Sequence, residues 1–267
     1  MRRIEEADPG VLLGVEGVSK RFGGLQALNE VSLTIRRGTL HAVIGPNGSG
    51  KTTLFNVLSG VLPADGGTVW FQGQDVTRLA PRHRARLGMR RTFQQVRLFG
   101  SLTVRQNVLA AYLESQRVSL GRRILSYSDR RGPGGHVDEI LDFFRLTRFA
   151  DTACSSLPYG VQKITEMARA MVARPQILLL DEPVNGMNAA EVVEVAELFR
   201  KMRAAFDVTI LLIEHNMSLV MQEADTASVL SGGLNLAEGT PEQICCDERV
   251  IEAYLGKRGG VTAGSGG

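Results

Sequence analysis

Apolar residues fall in short runs near both ends of the chain and at helical spacing through its middle. Val11–Leu13, Val31–Ile35, Leu40–Ile44 and Thr68–Phe71 are strand-like runs, punctuated by Gly23-Gly24, Arg37-Gly38 and Gly66-Gly67. After Gly50, the positions Leu54, Phe55, Val57 and Leu58 predict a helix. From about residue 100 to 175 the chain reads as helical. Val104, Val108 and Leu109 share one face, and Ile140, Leu141, Phe143 and Phe144 form another buried stripe. The polar stretch Ser128–Gly135 inside this region reads as an exposed loop. Ile177–Leu180 is a continuous apolar run, as expected of a strand buried on both faces. A helix over Ala189–Ala205 and a second buried strand, Thr209–Ile213, follow. Strand, helix, strand predicts a parallel sheet. The glycine-rich Gly256–Gly267 has no apolar pattern and reads as a disordered tail.

Composition adds bounds to this picture. The chain has 267 residues, 43% hydrophobic and 22% charged, which suits a globular domain and excludes collagen-like or globally disordered structure. A net charge of +3 does not argue for nucleic acid, and no nucleic-acid partner is expected. No apolar run is long enough to span a bilayer. The opening MRRIEEADPG, with Glu5, Glu6 and Asp8, is unlike a secretory signal. Cys154, Cys245 and Cys246 match no zinc spacing, so the simplest reading is a reduced, cytosolic protein.

The chemistry begins at Gly45-Pro-Asn47-Gly48-Ser49-Gly50-Lys51-Thr52-Thr53, which fits G-x-x-x-x-G-K-[ST] between a predicted strand and a predicted helix. Glycines let the backbone curl into a nest of N–H donors around phosphates, and the helix adds its positive end. In that motif Lys51 reaches the β- and γ-phosphates, Thr52 binds Mg²⁺ and Thr53 lies near the α-phosphate. Ile177–Leu180 runs into Asp181-Glu182-Pro183, two carboxylates at a strand's carboxyl end, where ligands of parallel sheets gather. Asp181 is placed to reach Mg²⁺ and Glu182 to orient an attacking water, so the chain offers the parts phosphoryl transfer needs. Thr209–Ile213 ends in Glu214-His215, and His215 is read as a hydrogen-bond partner for the γ-phosphate or the water. His41, His83 and His136 are read as structural or solvated, the last within the Gly-rich loop.

These motifs, in this order, resemble the ATP-binding subunits of ABC transporters. The resemblance implies an α/β P-loop NTPase (RecA-like) core with a parallel sheet, an N-terminal antiparallel β subdomain and an α-helical subdomain over about 96–165, in one domain spanning 8–255. It implies ATP and Mg²⁺ as cofactors. Arg91-Thr-Phe-Gln94 is similar to the family's glutamine loop, in which Gln94 touches Mg²⁺ and the water. Leu157-Pro-Tyr159-Gly160-Val-Gln162 stands where the signature LSGGQ belongs, which in the family clamps the nucleotide held by the other subunit. Phe22 matches the aromatic that stacks on adenine, with a plain core Phe as the other reading.

Within the family, the chain is similar to the Tyr-Gly-signature ATPase of bacterial branched-chain amino acid importers. The residues carrying this are Tyr159-Gly160, Asn185-Gly-Met-Asn188, Ile213-Glu-His-Asn-Met217, Glu238-Gly-Thr-Pro-Glu242 and Val250-Ile-Glu-Ala-Tyr-Leu255. The implied partners are a second ATPase subunit (a heterodimer, or a homodimer), two membrane permease subunits and, indirectly, a periplasmic binding protein. The implied location is peripheral, on the cytoplasmic face of the inner membrane. Pro158 departs from the signature Ser, Val161 from a Gln, Asn188 from an Asp, and Gln106 from a common Glu. Arg97, Leu98 and Phe99 resemble the surface that meets a membrane subunit, with helical-subdomain core as the alternative. The basic run Arg82–Arg91 reads as a solvated face, with lipid headgroups as the second reading. Other functions sharing the motifs are the ATPase of a lipid or lipopolysaccharide exporter, a soluble non-transport ABC ATPase, and a nucleotide-sensing module without catalysis.

Overall fold

The computed structural model describes residues 8–116 and 133–255. Its strands in chain order are β1 (Val11–Phe22), β2 (Leu25–Arg36), β3 (Leu40–Ile44), β4 (Gly66–Phe71), β5 (Gln74–Asp75), β6 (Met89–Arg91), β7 (Ile177–Asp181), β8 (Thr209–Ile213), β9 (Thr226–Ser231) and β10 (Leu234–Gly239). The described helices are α1 (Lys51–Leu58), α2 (Pro81–Arg86), α3 (Val104–Ser115), α4 (Pro133–Phe143), α5 (Tyr159–Met171), α6 (Ala189–Phe206), α7 (Met217–Glu223), α8 (Pro241–Cys246) and α9 (Glu248–Leu255).

Two sheets result. An antiparallel one has the order β2-β1-β4-β5, and a mixed one the order β10-β9-β3-β8-β7-β6, parallel except at β10. This is the α/β architecture the sequence implied. β1 runs well past Leu13, although Gly14, Glu16 and Gly17 interrupt its apolar run. It is held on both edges, by β2 and β4, and register shifts absorb the interruptions.

Every residue of β3, β7 and β8 is buried. Successive side chains point to opposite faces, and the packing follows that period. Leu178, Leu180, Ile210 and Leu212 face the helical layer, where they meet Met167, Met171, Phe199 and Met202. Ile177, Leu179, Leu211 and Ile213 face the antiparallel sheet and α1, meeting Val15, Leu33, Phe55 and Leu58. Burial of these side chains, each worth roughly 1.5–3 kcal/mol, locks the sheet between its two layers. In register, Val43, Ile213 and Asp181 lie abreast on β3, β8 and β7. The segments that follow these strands therefore emerge together at one edge.

Three sequence expectations change. Of Ser128–Gly135, residues 128–132 lie outside the described residues, and 133–135 begin α4 instead of continuing a loop. His136 is accordingly on a helix, its ring 5.0 Å from that of Tyr112 and its Nε2 3.3 Å from the Val172 carbonyl. Proline is tolerated at a first helical position, and the downstream apolar stripe supplies the buried face. The basic run is only partly a solvated face. Arg84 is buried, and its guanidinium donates to the carbonyls of Val57 at 2.7 Å, Leu58 at 2.5 Å, Thr77 at 2.9 Å and Leu79 at 3.0 Å. It thereby caps the carboxyl end of α1, whose last carbonyls have no helical partner. The tail 256–267 lies outside the described residues.

Two departures from the family pattern keep their local function. Gln106 completes a capping box at the start of α3, accepting from Thr103 N–H at 2.9 Å. Asn188 caps α6, accepting from Ala190 and Glu191 N–H at 3.0 and 3.1 Å. The pair Leu98 and Phe99 splits between its two readings: Leu98 packs on the helical core, and Phe99 is exposed.

His41 is structural. It is buried between the Ser228 and Thr226 hydroxyls, each 2.8 Å from a ring nitrogen, and ties β3 to β9. Burial lowers its pKa to about 4. The neutral ring is the folded form, so its stabilisation is complete above the unfolded value of about 6.5 and is lost as pH falls toward 4. Chemical denaturation should show a loss of roughly 2 kcal/mol between pH 7 and pH 5. A His41→Asn variant should lack that part of the slope; an unchanged slope would contradict the assignment.

Candidate functional site

The loop between β3 and α1 is shaped by positions that only glycine fills. Gly45 has φ 146° and Gly50 has φ 103°. A Cβ on Gly45 would lie 2.1 Å from the Leu230 carbonyl oxygen, and one on Gly50 2.5 Å from that of Ala27. Gly50 caps α1 without a side-chain hydrogen bond, so the first-turn N–H groups stay open toward the loop. That combination is an anion cradle. Lys51 is buried and curls over it, its Nζ donating to the carbonyls of Gly45 at 2.8 Å and Pro46 at 2.9 Å and lying 3.4 Å from Ser49 Oγ. Burial lowers the lysine's pKa, while Glu182 and Asp181 oppose that shift. Thr52 is exposed on the first turn, Thr53 half-buried, and Asn47 and Gly48 exposed at the loop's tip.

Beside this loop, the end of β7 supplies the acids. Asp181 is buried and its Oδ2 accepts from Arg91 Nη2 at 2.8 Å; burial raises its pKa and Arg91 pulls it back. Glu182 follows with a left-handed backbone, φ 48°, uncommon for a residue with a side chain. Its N–H is tied to the Ile213 carbonyl at 3.0 Å, which fixes the turn against β8. Its Oε2 accepts from Gln94 Nε2 at 2.9 Å and Asn185 Nδ2 at 3.1 Å. His215 Nδ1 lies 3.8 Å from the other carboxylate oxygen, Oε1. Gln94, Glu182 and His215, distant in sequence, are thus in one cluster.

Phe22, at the tip of β1, is 46% exposed, so the core reading fails, and the Lys20 ammonium lies 5.7 Å from its ring centroid. Tyr159 and Gly160 open α5, with the Tyr159 ring centroid 5.7 Å from Lys163 Nζ. Tyr159 lies against Gly186, and a Cβ on Gly160 would come within 2.7 Å of Glu191 Oε1. Pro158 caps α5 with neither hydroxyl nor N–H, and no side chain caps the helix.

Several partners were invisible to motif reading. Arg91 and Asn185 had no assigned contact with the acids. Glu214, named only as His215's neighbour, is buried and accepts from His215 N–H at 3.0 Å, Asn216 N–H at 3.1 Å and Val184 N–H at 3.4 Å. Its charge is disfavoured by burial, and those amides work against the shift. A glutamate ending a fully apolar strand was the signal for it.

For Mg²⁺, the donors are a hydroxyl (Thr52), an amide oxygen (Gln94) and a carboxylate (Asp181), all hard oxygen ligands. Among the described residues no cluster of three or more metal-binding side chains exists. The set fits an ion held jointly by one carboxylate and by nucleotide phosphates, the usual arrangement for Mg²⁺.

A phosphate loop at the end of the buried parallel strand β3, with an acidic pair at the end of β7 one strand further on, defines a P-loop nucleotide-binding protein. The comparisons refine the class. The ABC transporter family model matches residues 28–185, and the model described as branched-chain amino acid ATP-binding cassette transporter matches 235–259. The high-affinity branched-chain amino acid transport ATP-binding protein LivG of Escherichia coli is 43% identical over 92% of this chain and 98% of its own length. BraF of Pseudomonas aeruginosa, with the same description, is 41% identical over 92% of this chain and 98% of its own. Among solved structures, a nucleotide-free ATP-binding cassette from an ABC transporter aligns with TM-score 0.80 at 30% identity, covering 92% of this chain and all of that one. A cassette in its ADP conformation aligns with TM-score 0.79 at 30% identity, covering 92% of this chain and 99% of that one. The chain belongs to the ABC transporter family and is an ATP-binding cassette ATPase.

Proposed function

We propose that this chain hydrolyses ATP to power an importer of branched-chain or related hydrophobic amino acids. The observation that carries the catalytic part is Glu182, held by Gln94 and Asn185 at the end of β7 next to the phosphate loop. Phe22 stacks on the base. The amides of Gly45 to Thr53 wrap the phosphates, and Lys51 exchanges its loop carbonyls for phosphate oxygens. Thr52, Asp181 and Gln94 would hold Mg²⁺, which would neutralise phosphate charge. Glu182 takes a proton from water as its oxygen attacks the γ-phosphorus. The bond to the β-phosphate oxygen breaks, leaving ADP and phosphate. His215 orients the water or the γ-phosphate.

Transport needs a second ATPase subunit, because Tyr159 and Gly160 stand where the family's signature contacts the partner's nucleotide. The open N–H groups of α5 and its dipole serve that contact, weakened by Pro158. Two permease subunits complete the assembly at the cytoplasmic face of the membrane, with Arg97 and the exposed Phe99 in the contact and a periplasmic binding protein delivering the substrate. No described helix is long and apolar enough to cross a membrane, so the chain would attach through those subunits. The resemblance of LivG and BraF over their whole length, and the match at 235–259, support an importer over an exporter or a soluble ATPase.

The test is reconstitution with the cognate membrane subunits and binding protein in vesicles. ATP-dependent accumulation of leucine, isoleucine or valine is expected. Uptake of none of them, with phosphate release intact, would overturn the substrate assignment.

A further inference from the structure

Helix α5 carries two buried charged residues that the mechanism above leaves without a role. Lys163 is 3% exposed and Glu166 2% exposed, three residues apart and so on one face. Lys163 Nζ donates to the Gln94 carbonyl at 2.6 Å and also reaches the Glu182 carbonyl, at 3.4 Å. Glu166 Oε1 accepts from Arg97 N–H at 3.3 Å. Its Oε2 is buried without a partner. One helix face therefore grips the glutamine segment at residues 94 and 97, and Lys163 adds the backbone of Glu182.

Chemistry explains why a lysine stands there. Glu182 holds a left-handed backbone conformation, and its carbonyl needs a donor to stay in place. The ammonium sits near four carboxylates, those of Glu166, Asp181, Glu182 and Glu214, all of which favour its charge against burial. An apolar residue would leave the Gln94 and Glu182 carbonyls without this donor and the carboxylates without this cation. The same helix begins with Tyr159 and Gly160, whose proposed ligand is the partner's nucleotide.

We infer that Lys163, braced by Glu166, is a positioning residue that links the signature end of α5 to this chain's own Gln94 and Glu182. Displacement of α5 by the partner's nucleotide is carried into the placement of the water-activating carboxylate. This rests on the proposed roles of Gln94 and Glu182. Lys163 touches no residue of the phosphate loop in these contacts, so its effect falls on kcat.

The test is a double-variant cycle in the assembled transporter, with ATP turnover and ATP KM measured for Lys163→Met, Gln94→Ala and both together. Lys163→Met should lower kcat by about tenfold or more with KM changed less than about twofold. Lys163→Arg, which keeps the charge and the donors, should recover turnover to within about threefold. The double variant should lose far less than the product of the single losses. Losses that multiply fully, a KM change without a kcat change, or normal turnover in Lys163→Met would each overturn the inference. Where Lys163→Met does not assemble, Lys163→Gln, with an N–H donor and no charge, is read by the same criteria. Glu182→Gln in the same preparation separates the two readings: normal turnover there removes the catalytic assignment itself, whatever the cycle shows.

Discussion

Glu182→Gln should stop turnover while leaving ATP bound. The substitution keeps the side chain's size and an acceptor oxygen for Gln94 and Asn185, which now hold Glu182 Oε2 at 2.9 and 3.1 Å. It removes the ability to take a proton from water. General-base catalysis contributes roughly 10²–10⁴-fold, so kcat should fall at least about a hundredfold. ATP affinity should stay within about twofold, because the loop and Lys51 are untouched. Phosphate release in the assembled complex and nucleotide binding to the same preparation check both halves. The matching substitution in the partner subunit should give an unequal loss, since Pro158 weakens the signature that serves the partner's nucleotide. Equal losses would count against that asymmetry.

Lys51→Ala should remove ATP binding itself. The ammonium sits over the loop on the Gly45 and Pro46 carbonyls, within one side chain's swing of any phosphate the amides hold. Two charge-assisted hydrogen bonds to phosphate are worth roughly 1.5–3 kcal/mol each, and the carbonyl contacts given up offset part of that. A net loss of about 3 kcal/mol raises Kd roughly a hundredfold. Calorimetric titration of ATP into Lys51→Ala and wild-type protein measures this. A Kd within a few-fold of wild type would show that the lysine does not grip phosphate.

What the sequence displayed, and what it hid, follows from how far apart the interacting residues are. The phosphate loop is one contiguous run whose glycines, lysine and threonines carry their own geometry. β7 and β8 were legible because burial on both faces leaves an unbroken apolar run ending in charge. β1 was legible only at its start, since its later residues are held by pairing on two edges and not by apolar pattern. The long-range contacts carry no such mark. Arg91 and Asp181 are 90 residues apart, and Lys163 and Gln94 are 69 apart. A lysine on a helix ordinarily reads as solvated, and only the fold shows that this one is buried under carboxylates. Arg84 was hidden in the same way, as one of a basic run whose neighbours Arg82 and Arg86 are exposed. Phe22 went the other direction: its exposure removes the core reading, while its stacking role still rests on resemblance.

Our proposal is that ATP held in this chain's phosphate cradle, and cleaved with the help of Glu182, drives uptake. It is tested most directly by counting phosphate released and labelled leucine accumulated in the same vesicles, for complexes carrying wild-type, Lys51→Ala or Glu182→Gln chains. Both quantities should rise together in the first and be reduced to near background in the other two. Leucine accumulation at the wild-type rate by either variant, without matching phosphate release, would contradict the account.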